Sequence, residues 1–222
     1  LIEQLNQLFA GDLSDAPDVV VRPTTHEEVA AVLAVAAEHR LAVVPFGGGT
    51  AVTGGLVARR EGFDGVVSLD LVRMKRLLAV DHVSMTATLE PGLRGPEAEA
   101  LLAEEGLTIG HYPQSWEYAS LGGFAATRSS GQSSAGYGRF DALVVGLTVA
   151  TPIGRIDLGT APANAAGPDL RQLFLGSEGT LGVITALKLR VRRLPAVKVY
   201  EGWRWASFVD GAAAIRTLAQ AG

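Results

Sequence analysis

The stretch VVPFGGGTAVTGGL, residues 43–56, puts three glycines directly behind an apolar run and two more a few residues later. The run LAVVPFG predicts a buried strand, and the preceding DVVVR and TTHEEVAAVLAVAAEH predict another strand and a helix, with Thr24 or Thr25 as the N-cap of the helix. Together they form a β-α-β unit, which favours two parallel strands. Ligands of parallel sheets bind at the carboxyl ends of the strands, where these glycines lie. Because glycine lacks a Cβ, its backbone N–H groups can approach an anion closely, so the stretch predicts an anion-binding loop.

Two familiar nucleotide-binding patterns do not fit this first glycine loop, residues 47–56. In the P-loop pattern G-x-x-x-x-G-K-[ST], Gly49 and Gly54 have the required spacing, but Gly55 stands where the lysine must be. In the dinucleotide pattern G-x-G-x-x-G, a start at Gly47 puts Val52 at the last glycine position. An anion site of another kind and a purely structural turn remain as alternatives. The number of glycines in one loop favours the anion site.

The rest of the chain predicts further strands and helices around this unit. Strand patterns occupy residues 65–71, 74–81, 85–92, 181–195 and 196–208, and a hairpin covers 141–159 with its turn at 152–154. Helix patterns occupy residues 95–105, a short piece within 120–131, a short piece within 167–179, and the final residues from 210.

Two later clusters also combine glycine with hydroxyl residues. The second glycine segment, residues 113–138, interleaves Ser, Thr and Gly with aromatic residues. Such small residues let a flat aromatic ligand lie against the main chain, although a flexible serine-rich loop is an alternative.

The third glycine loop is GSEGTLGVIT, residues 176–185. It is not a hydrolase nucleophile elbow, since Leu175 stands at the first glycine position. Its Glu178 needs a hydrogen-bond donor from the backbone or from a ligand.

Composition and charge exclude several classes of function. The formal net charge of -4 argues against a nucleic-acid partner, and the absence of cysteine excludes disulfides and thiolate metal sites. The four histidines form no metal-ligand pattern, although His111 is a candidate for facing a ligand because it precedes the second glycine segment. The longest apolar-rich segment, residues 29–37, is shorter than the roughly 20 residues that span a bilayer. No basic signal sequence begins the chain, so we expect a cytoplasmic protein.

In this order and spacing, the three clusters resemble the FAD-binding domain, of the p-cresol methylhydroxylase type, found in the vanillyl-alcohol oxidase/p-cresol methylhydroxylase family of flavoproteins. TRSSGQSSAGYGRFDALVVGLTVATPIG and GPDLRQLFLGSEGTLGVIT look most similar to its alkyldihydroxyacetonephosphate synthase and FAD-linked oxidase branch. The resemblance implies an α+β fold of two α+β subdomains, a small parallel β-α-β subdomain and a larger one with a mixed or antiparallel sheet. It also implies FAD bound between them. We accordingly expect an N-terminal segment at 1–17, the FAD-binding domain at 18–195 and the start of a C-terminal substrate or cap domain at 196–222.

By this resemblance, each cluster supplies one part of the cofactor site. The first loop would wrap the diphosphate with main-chain N–H groups, the second segment would line the isoalloxazine and ribityl region, and the third would complete the adenosine end. The expected cofactor-binding residues are Pro45, Phe46, Gly47, Gly48, Gly49, Thr50, Ala51, Gln114, Ser115, Ser120, Gly122, Gly123, Thr127, Arg128, Ser129, Ser130, Glu178, Gly179, Gly182, Val183 and Ile184.

Two departures from the family pattern qualify the site. Many members of the branch carry an aspartate where this chain has Gln114, so a charge-dependent contact there is not expected. Members with covalent flavin attach it through a histidine in the first loop, where this chain has Phe46 and Gly47. The resemblance therefore implies non-covalent FAD.

The resemblance implies an FAD-dependent enzyme but leaves its reaction open. One alternative is exchange of an acyl for an alkyl group on an ether-lipid precursor, and another is oxidation of a D-2-hydroxyacid of the glycolate or D-lactate type. A domain that holds a nucleotide without redox chemistry is a third. In the family, the substrate site and most catalytic residues lie C-terminal to the FAD domain, so we expect this chain alone not to turn over substrate. The expected partners are FAD and a small-molecule substrate, with a homodimer as the candidate assembly.

Overall fold

The structure is a computed structural model that describes residues 9–11, 16–159, 161 and 165–221. The strands are β1 Val19–Val21, β2 Leu41–Phe46, β3 Gly65–Asp70, β4 Leu77–Asp81, β5 Thr86–Leu89, β6 Leu107–Thr108, β7 Val144–Thr151, β8 Gly154–Leu158, β9 Val183–Arg190 and β10 Arg192–Arg193. The α-helices are α1 His26–Glu38, α2 Gly95–Glu104, α3 Leu121–Ala126, α4 Ser134–Tyr137, α5 Phe140–Leu143, α6 Arg171–Phe174 and α7 Phe208–Ala221, and a 3₁₀ turn covers Leu71–Arg73.

The small subdomain is the predicted β-α-β unit with one strand added. Its three strands lie in the order β1-β3-β2 and all run parallel, so β3 separates the two strands that α1 connects. Thr25 caps α1 by accepting a hydrogen bond from the Glu28 amide at 3.1 Å, as its position before the apolar pattern predicted. Val29 and Leu33 of α1 are buried against the sheet. The first glycine loop begins where β2 ends.

The large subdomain is a five-stranded antiparallel sheet in the order β4-β5-β9-β7-β8. The predicted hairpin at 141–159 is its β7-β8 pair. One face of the sheet packs on the main hydrophobic core, in which Phe140, Leu102 and Leu187 are fully buried and to which α2, α3 and α5 contribute. A second, smaller core joins Val29 and Leu33 of α1 to Ala150 and Val183 of this sheet. The expected α+β fold of two subdomains is therefore confirmed.

The strand predicted at 196–208 is wrong. No residue between Leu194 and Ser207 pairs in a sheet, although α7 follows as the expected final helix. The alternation of Val197, Val199 and Trp203 is typical of a strand, but a strand also needs a neighbour to complete its hydrogen-bond ladder. The described part of the chain offers none at this point, and these three side chains are largely exposed.

The boundaries at 18–195 and 196–222 stay predictions. Of the expected N-terminal segment, residues 1–8 and 12–15 lie outside the described residues, as does residue 222 at the other end. In the described ranges, every helix is too short or too polar to cross a bilayer.

Candidate functional site

A cavity of about 310 Å³ lies where the two subdomains meet, between the end of β2, the start of α3 and the start of β9. Such a volume is at the lower end of the range for small-molecule sites. All the residues expected to bind the cofactor line this cavity except Gln114, Arg128 and Ser130. Sequence reasoning missed further lining residues: Val52, Thr53, Gly55, Leu56, Leu71, Ala119, Phe124, Ala126 and Ser177. Four of these residues, 52, 53, 55 and 56, belong to the first loop. They could have been predicted because they continue the same glycine-rich stretch.

The first glycine loop carries backbone donors that have no partner among the described residues. The amides of residues 48–51 make no hydrogen bond to any of the residues that the structure describes. These four consecutive residues line the cavity and begin two positions after Phe46, the last residue of the parallel strand β2. Several N–H groups aimed at one cavity can satisfy an anion without a lysine or arginine side chain.

The backbone amides at the start of α3 differ from those of the first loop, because they donate hydrogen bonds within the protein. Gly122 donates its N–H to Pro91 O at 2.9 Å, and Gly123 donates to the side chain of Ser120 at 3.2 Å. The second glycine segment therefore contributes surface and hydroxyl groups to the cavity, including those of Ser115 and Ser129, rather than free amides at these glycines.

The third glycine loop is attached to the end of α3. Gly176 donates its N–H to Ala125 O at 3.1 Å, and Glu178 donates to Ala126 O at 3.0 Å. Glu178 has φ of 52°, a left-handed conformation that is uncommon for a residue with a side chain. These bonds hold Gly179 and Gly182 at the cavity wall.

The first loop and the second segment pack backbone against backbone. A Cβ on Gly48 would overlap the carbonyl oxygen of Tyr118 and lie 2.6 Å from Ala119 Cα. A Cβ on Gly47 would overlap Ser120 Oγ. The absence of a side chain at 48 is therefore required by loop packing, in addition to any approach to a ligand, whereas a Cβ at 47 would displace the Ser120 hydroxyl.

Glu178 is the one ionisable residue among the described residues that line the cavity. Its Oε2 accepts a hydrogen bond from Thr53 Oγ1 at 2.8 Å. The sequence indicated that the Glu178 carboxylate needs a hydrogen-bond donor, and Thr53 supplies one. The bond also connects the third loop to the first across the cavity rim. The walls are otherwise uncharged, so an anionic ligand here would rely on backbone donors.

The three expected residues outside the cavity have different environments. The Arg128 guanidinium donates to Leu175 O at 2.9 Å, to Gln172 O at 3.1 Å and to Asp141 Oδ2 at 2.9 Å. It therefore ties the end of α3 to the α6 region. Gln114 and Ser130 are exposed beside the lining residues Ser115 and Ser129.

His111 does not line the cavity but lies behind it. Its side chain is buried between the rings of Phe124 and Phe140, with ring centroids at 5.0 and 5.1 Å. Nε2 lies 3.0 Å from Ser129 Oγ. Burial lowers the pKa of His111 to about 4, so its ring is neutral at pH 7. Within the described residues, no group of His, Asp or Glu has the arrangement of a metal site.

Comparison with known proteins gives a consistent result for this arrangement. Residues 17–158 match the family described as "FAD binding domain". The chain is 38% identical over 213 residues to the alkyldihydroxyacetonephosphate synthase of Trypanosoma brucei brucei, which covers 96% of this chain and 35% of the relative. It is also 38% identical over 205 residues to the mitochondrial D-lactate dehydrogenase [cytochrome] of Arabidopsis thaliana, covering 91% of this chain and 35% of the relative.

A solved structure of an alkyldihydroxyacetonephosphate synthase superposes on this fold with a TM-score of 0.82 at 36% sequence identity. The match covers 88% of this chain and 35% of that chain. The chain thus spans about 35% of the length of the relatives named here.

Proposed function

We propose, on the premise that this chain belongs to the family of FAD binding domains, that it is the cofactor-binding part of an enzyme of the alkyldihydroxyacetonephosphate synthase type. The cofactor is FAD, and the relatives are FAD-linked oxidoreductases and synthases. The observation that carries the proposal is the cavity between three glycine-rich loops, in which the amides of residues 48–51 have no hydrogen-bond partner among the described residues.

The residues present fit FAD held without a covalent bond. The free amides of residues 48–51 would bind the diphosphate, because fixed N–H groups can neutralise an anion in a wall that lacks cations. Ser115, Ser129 and the glycines of α3 would contact the flavin and ribityl part, and Glu178 would lie towards the adenosine part. No histidine lines the cavity among the described residues, which supports the non-covalent alternative.

In this proposal the chain orients the cofactor and leaves substrate recognition to other parts of the protein. Bound FAD supplies the redox chemistry of its isoalloxazine ring, which exchanges hydride or electrons with a substrate. The loops of this chain bind the cofactor and exclude water from one side of it. We propose, from the family resemblance, that a small-molecule substrate binds in a C-terminal domain; the matched region is 35% of each of these relatives.

A D-2-hydroxyacid dehydrogenase is the second candidate for the complete enzyme. The observation in its favour is the 38% identity to the Arabidopsis D-lactate dehydrogenase, which is as high as the identity to the trypanosome synthase. The synthase is favoured because its match covers more of this chain and a synthase also gives the structural match.

Cofactor binding and substrate class are tested in two steps on the complete polypeptide. We expect the purified protein to be yellow, with the visible absorption bands of oxidised flavin, and to release FAD on denaturation without leaving flavin attached to the protein. A colourless protein that binds no added FAD would contradict the cofactor site. Anaerobic bleaching by D-lactate or glycolate would favour the dehydrogenase, whereas exchange of an acyl for an alkyl group without net oxidation would favour the synthase.

Two finer features of this proposal, a homodimeric assembly and a cytoplasmic location, stay predictions from sequence. Sedimentation of the purified protein tests the first, and localisation of the complete protein in cells tests the second.

A further inference from the structure

We infer that His111 is a positioning residue, which fixes the hydroxyl of Ser129 for a hydrogen bond to FAD bound in the cavity. The inference rests on the proposed function, because it concerns the same cofactor site. Ser129 lines the cavity and His111 lies behind it. His111 would thus act on the cofactor through Ser129 alone.

The backbone of Ser129 is fixed from two sides. Its N–H donates to Phe124 O at 2.9 Å, and its carbonyl oxygen accepts from Phe140 N–H at 2.9 Å. With the backbone held, the remaining freedom of Ser129 is rotation of its short side chain. A serine side chain has three staggered positions, and a hydrogen bond to a fixed neighbour selects one of them.

His111 is held by the same two residues that hold Ser129. The rings of Phe124 and Phe140 contact the imidazole at centroid distances of 5.0 and 5.1 Å and at steep angles. The histidine side chain is 4% exposed, and Nε2 is 3.0 Å from Ser129 Oγ. A buried ring in this position cannot swing into solvent, so the bond gives Ser129 Oγ a defined position at the cavity wall.

A bond to His111 leaves Ser129 able to bind a ligand. A hydroxyl has one donor and two acceptor sites, and one contact to a neutral imidazole uses one of them. Burial keeps the imidazole neutral, so the contact brings no charge to the cavity. Whichever partner donates, Ser129 keeps at least one site for a polar group of the cofactor.

The chain contains a matched histidine–hydroxyl pair outside the cavity. His26 Nδ1 lies 2.8 Å from Thr185 Oγ1, which also donates to Thr148 O at 3.2 Å. Thr185 is buried on β9 but does not line the cavity. Loss of the His26 contact therefore controls for the loss of a histidine–hydroxyl bond as such.

The test measures FAD affinity on the complete polypeptide after the flavin is removed, by quenching of flavin fluorescence. We expect His111→Phe, which keeps an aromatic ring, and Ser129→Ala each to weaken FAD binding about five- to tenfold, the usual effect of one hydrogen bond. The double variant should be no weaker than Ser129→Ala, since loss of the hydroxyl already removes the bond that His111 would position. His111→Gln, whose amide can donate and accept, should recover part of the affinity, and His26→Phe should leave it unchanged.

Additive losses in the double variant, or unchanged affinity in His111→Phe, would overturn the inference. An equal loss in His26→Phe would also overturn it, because the effect would then follow from general destabilisation. If His111→Phe does not fold, His111→Leu replaces it: weaker FAD binding in His111→Leu than in His111→Gln supports the inference, and equal affinity in the two variants overturns it. Failure of the unsubstituted protein to bind FAD would instead reject the proposed function.

Discussion

At the level of single residues, the burial of His111 couples folding to pH. Its pKa is about 4 in the folded chain, compared with an ordinary value of 6.5. Between these pH values the unfolded chain binds a proton that the folded chain does not. The free energy of unfolding should therefore be fully retained above pH 6.5 and fall as pH decreases towards 4, by about 3 kcal/mol for a shift of this size.

Chemical denaturation at several pH values checks this expectation. His111→Gln should remove that part of the pH dependence. His39, which is exposed at the end of α1, provides the control, and His39→Gln should keep the dependence of the unsubstituted protein. An identical pH dependence in His111→Gln would show that other groups cause it.

Arg128 is the second residue whose role changes from the sequence to the structure. Its three hydrogen bonds all go to protein groups, so we expect Arg128→Gln to lower the free energy of unfolding by about 2 kcal/mol. FAD affinity should change less than about twofold, given that Arg128 does not line the cavity. Denaturant titration and FAD titration on the same variant separate the two effects.

Arg139→Gln is the matched control for Arg128. Arg139 also contacts Asp141 Oδ2 at 2.9 Å, but its side chain is 56% exposed. An exposed ion pair of this kind contributes about 0.5 kcal/mol or less. Strong loss of FAD from Arg128→Gln with unchanged stability would restore the direct cofactor contact that the sequence suggested.

At the level of elements, the packing of the first loop on the second segment gives a test at Gly48. The methyl group in Gly48→Ala would meet the backbone at Tyr118 and Ala119, which cannot move as a flexible side chain can. We expect this variant to lose about 1–3 kcal/mol of stability even without FAD, in addition to weakened FAD binding. Thermal unfolding of the flavin-free protein measures the first effect.

Gly136→Ala is the control for this substitution. Gly136 lies in α4, and a Cβ there meets no atom within 4 Å. Its stability and FAD affinity should match those of the unsubstituted protein. Normal stability of flavin-free Gly48→Ala, with FAD binding alone lost, would mean that the glycine serves the ligand and not the loop packing.

The elements also separate what the sequence could predict from what it could not. The β-α-β unit and the β7-β8 hairpin were predictable because apolar periodicity, the Thr25 cap and the turn residues all act locally. The insertion of β3 between β1 and β2 depends on pairing between distant residues, which no local pattern specifies. The failed strand at 196–208 had the alternating pattern without a neighbouring strand.

The candidate site, like the fold, was predictable from the sequence only where local patterns determine it. The sequence identified the glycine-rich loops, but it could not say which loop has free amides. That depends on acceptors such as Pro91 O, which packs against α3 from an earlier part of the chain. The partner of Glu178, Thr53, lies 125 residues away in sequence, and the contact between His111 and Ser129 likewise depends on tertiary packing.

For the whole molecule, the exposed C-terminal region predicts that the two subdomains fold without it. No described side chain of α7 is buried, and Val197, Val199 and Trp203 are at least 70% exposed. A chain that ends at Pro195 should keep its FAD affinity within about twofold and its free energy of unfolding within about 1 kcal/mol.

The same truncation should reduce self-association, since exposed apolar patches of this kind promote it. Sedimentation and FAD titration of the two chain lengths provide the measurement. Loss of folding in the shorter chain would show that the region beyond Pro195 belongs to the same cooperative unit, against the predicted boundary.

The unpaired amides of residues 48–51 have a consequence for the ionic conditions under which the cofactor stays bound. Attraction between a phosphate and a lysine extends over the Debye length, which shrinks from about 10 Å at 0.1 M salt to about 3 Å at 1 M. Hydrogen bonds from peptide groups act at contact distance and depend much less on that length. A protein that holds its diphosphate in this way would keep its colour through concentrated salt and lose it only when the backbone of the loop is deformed.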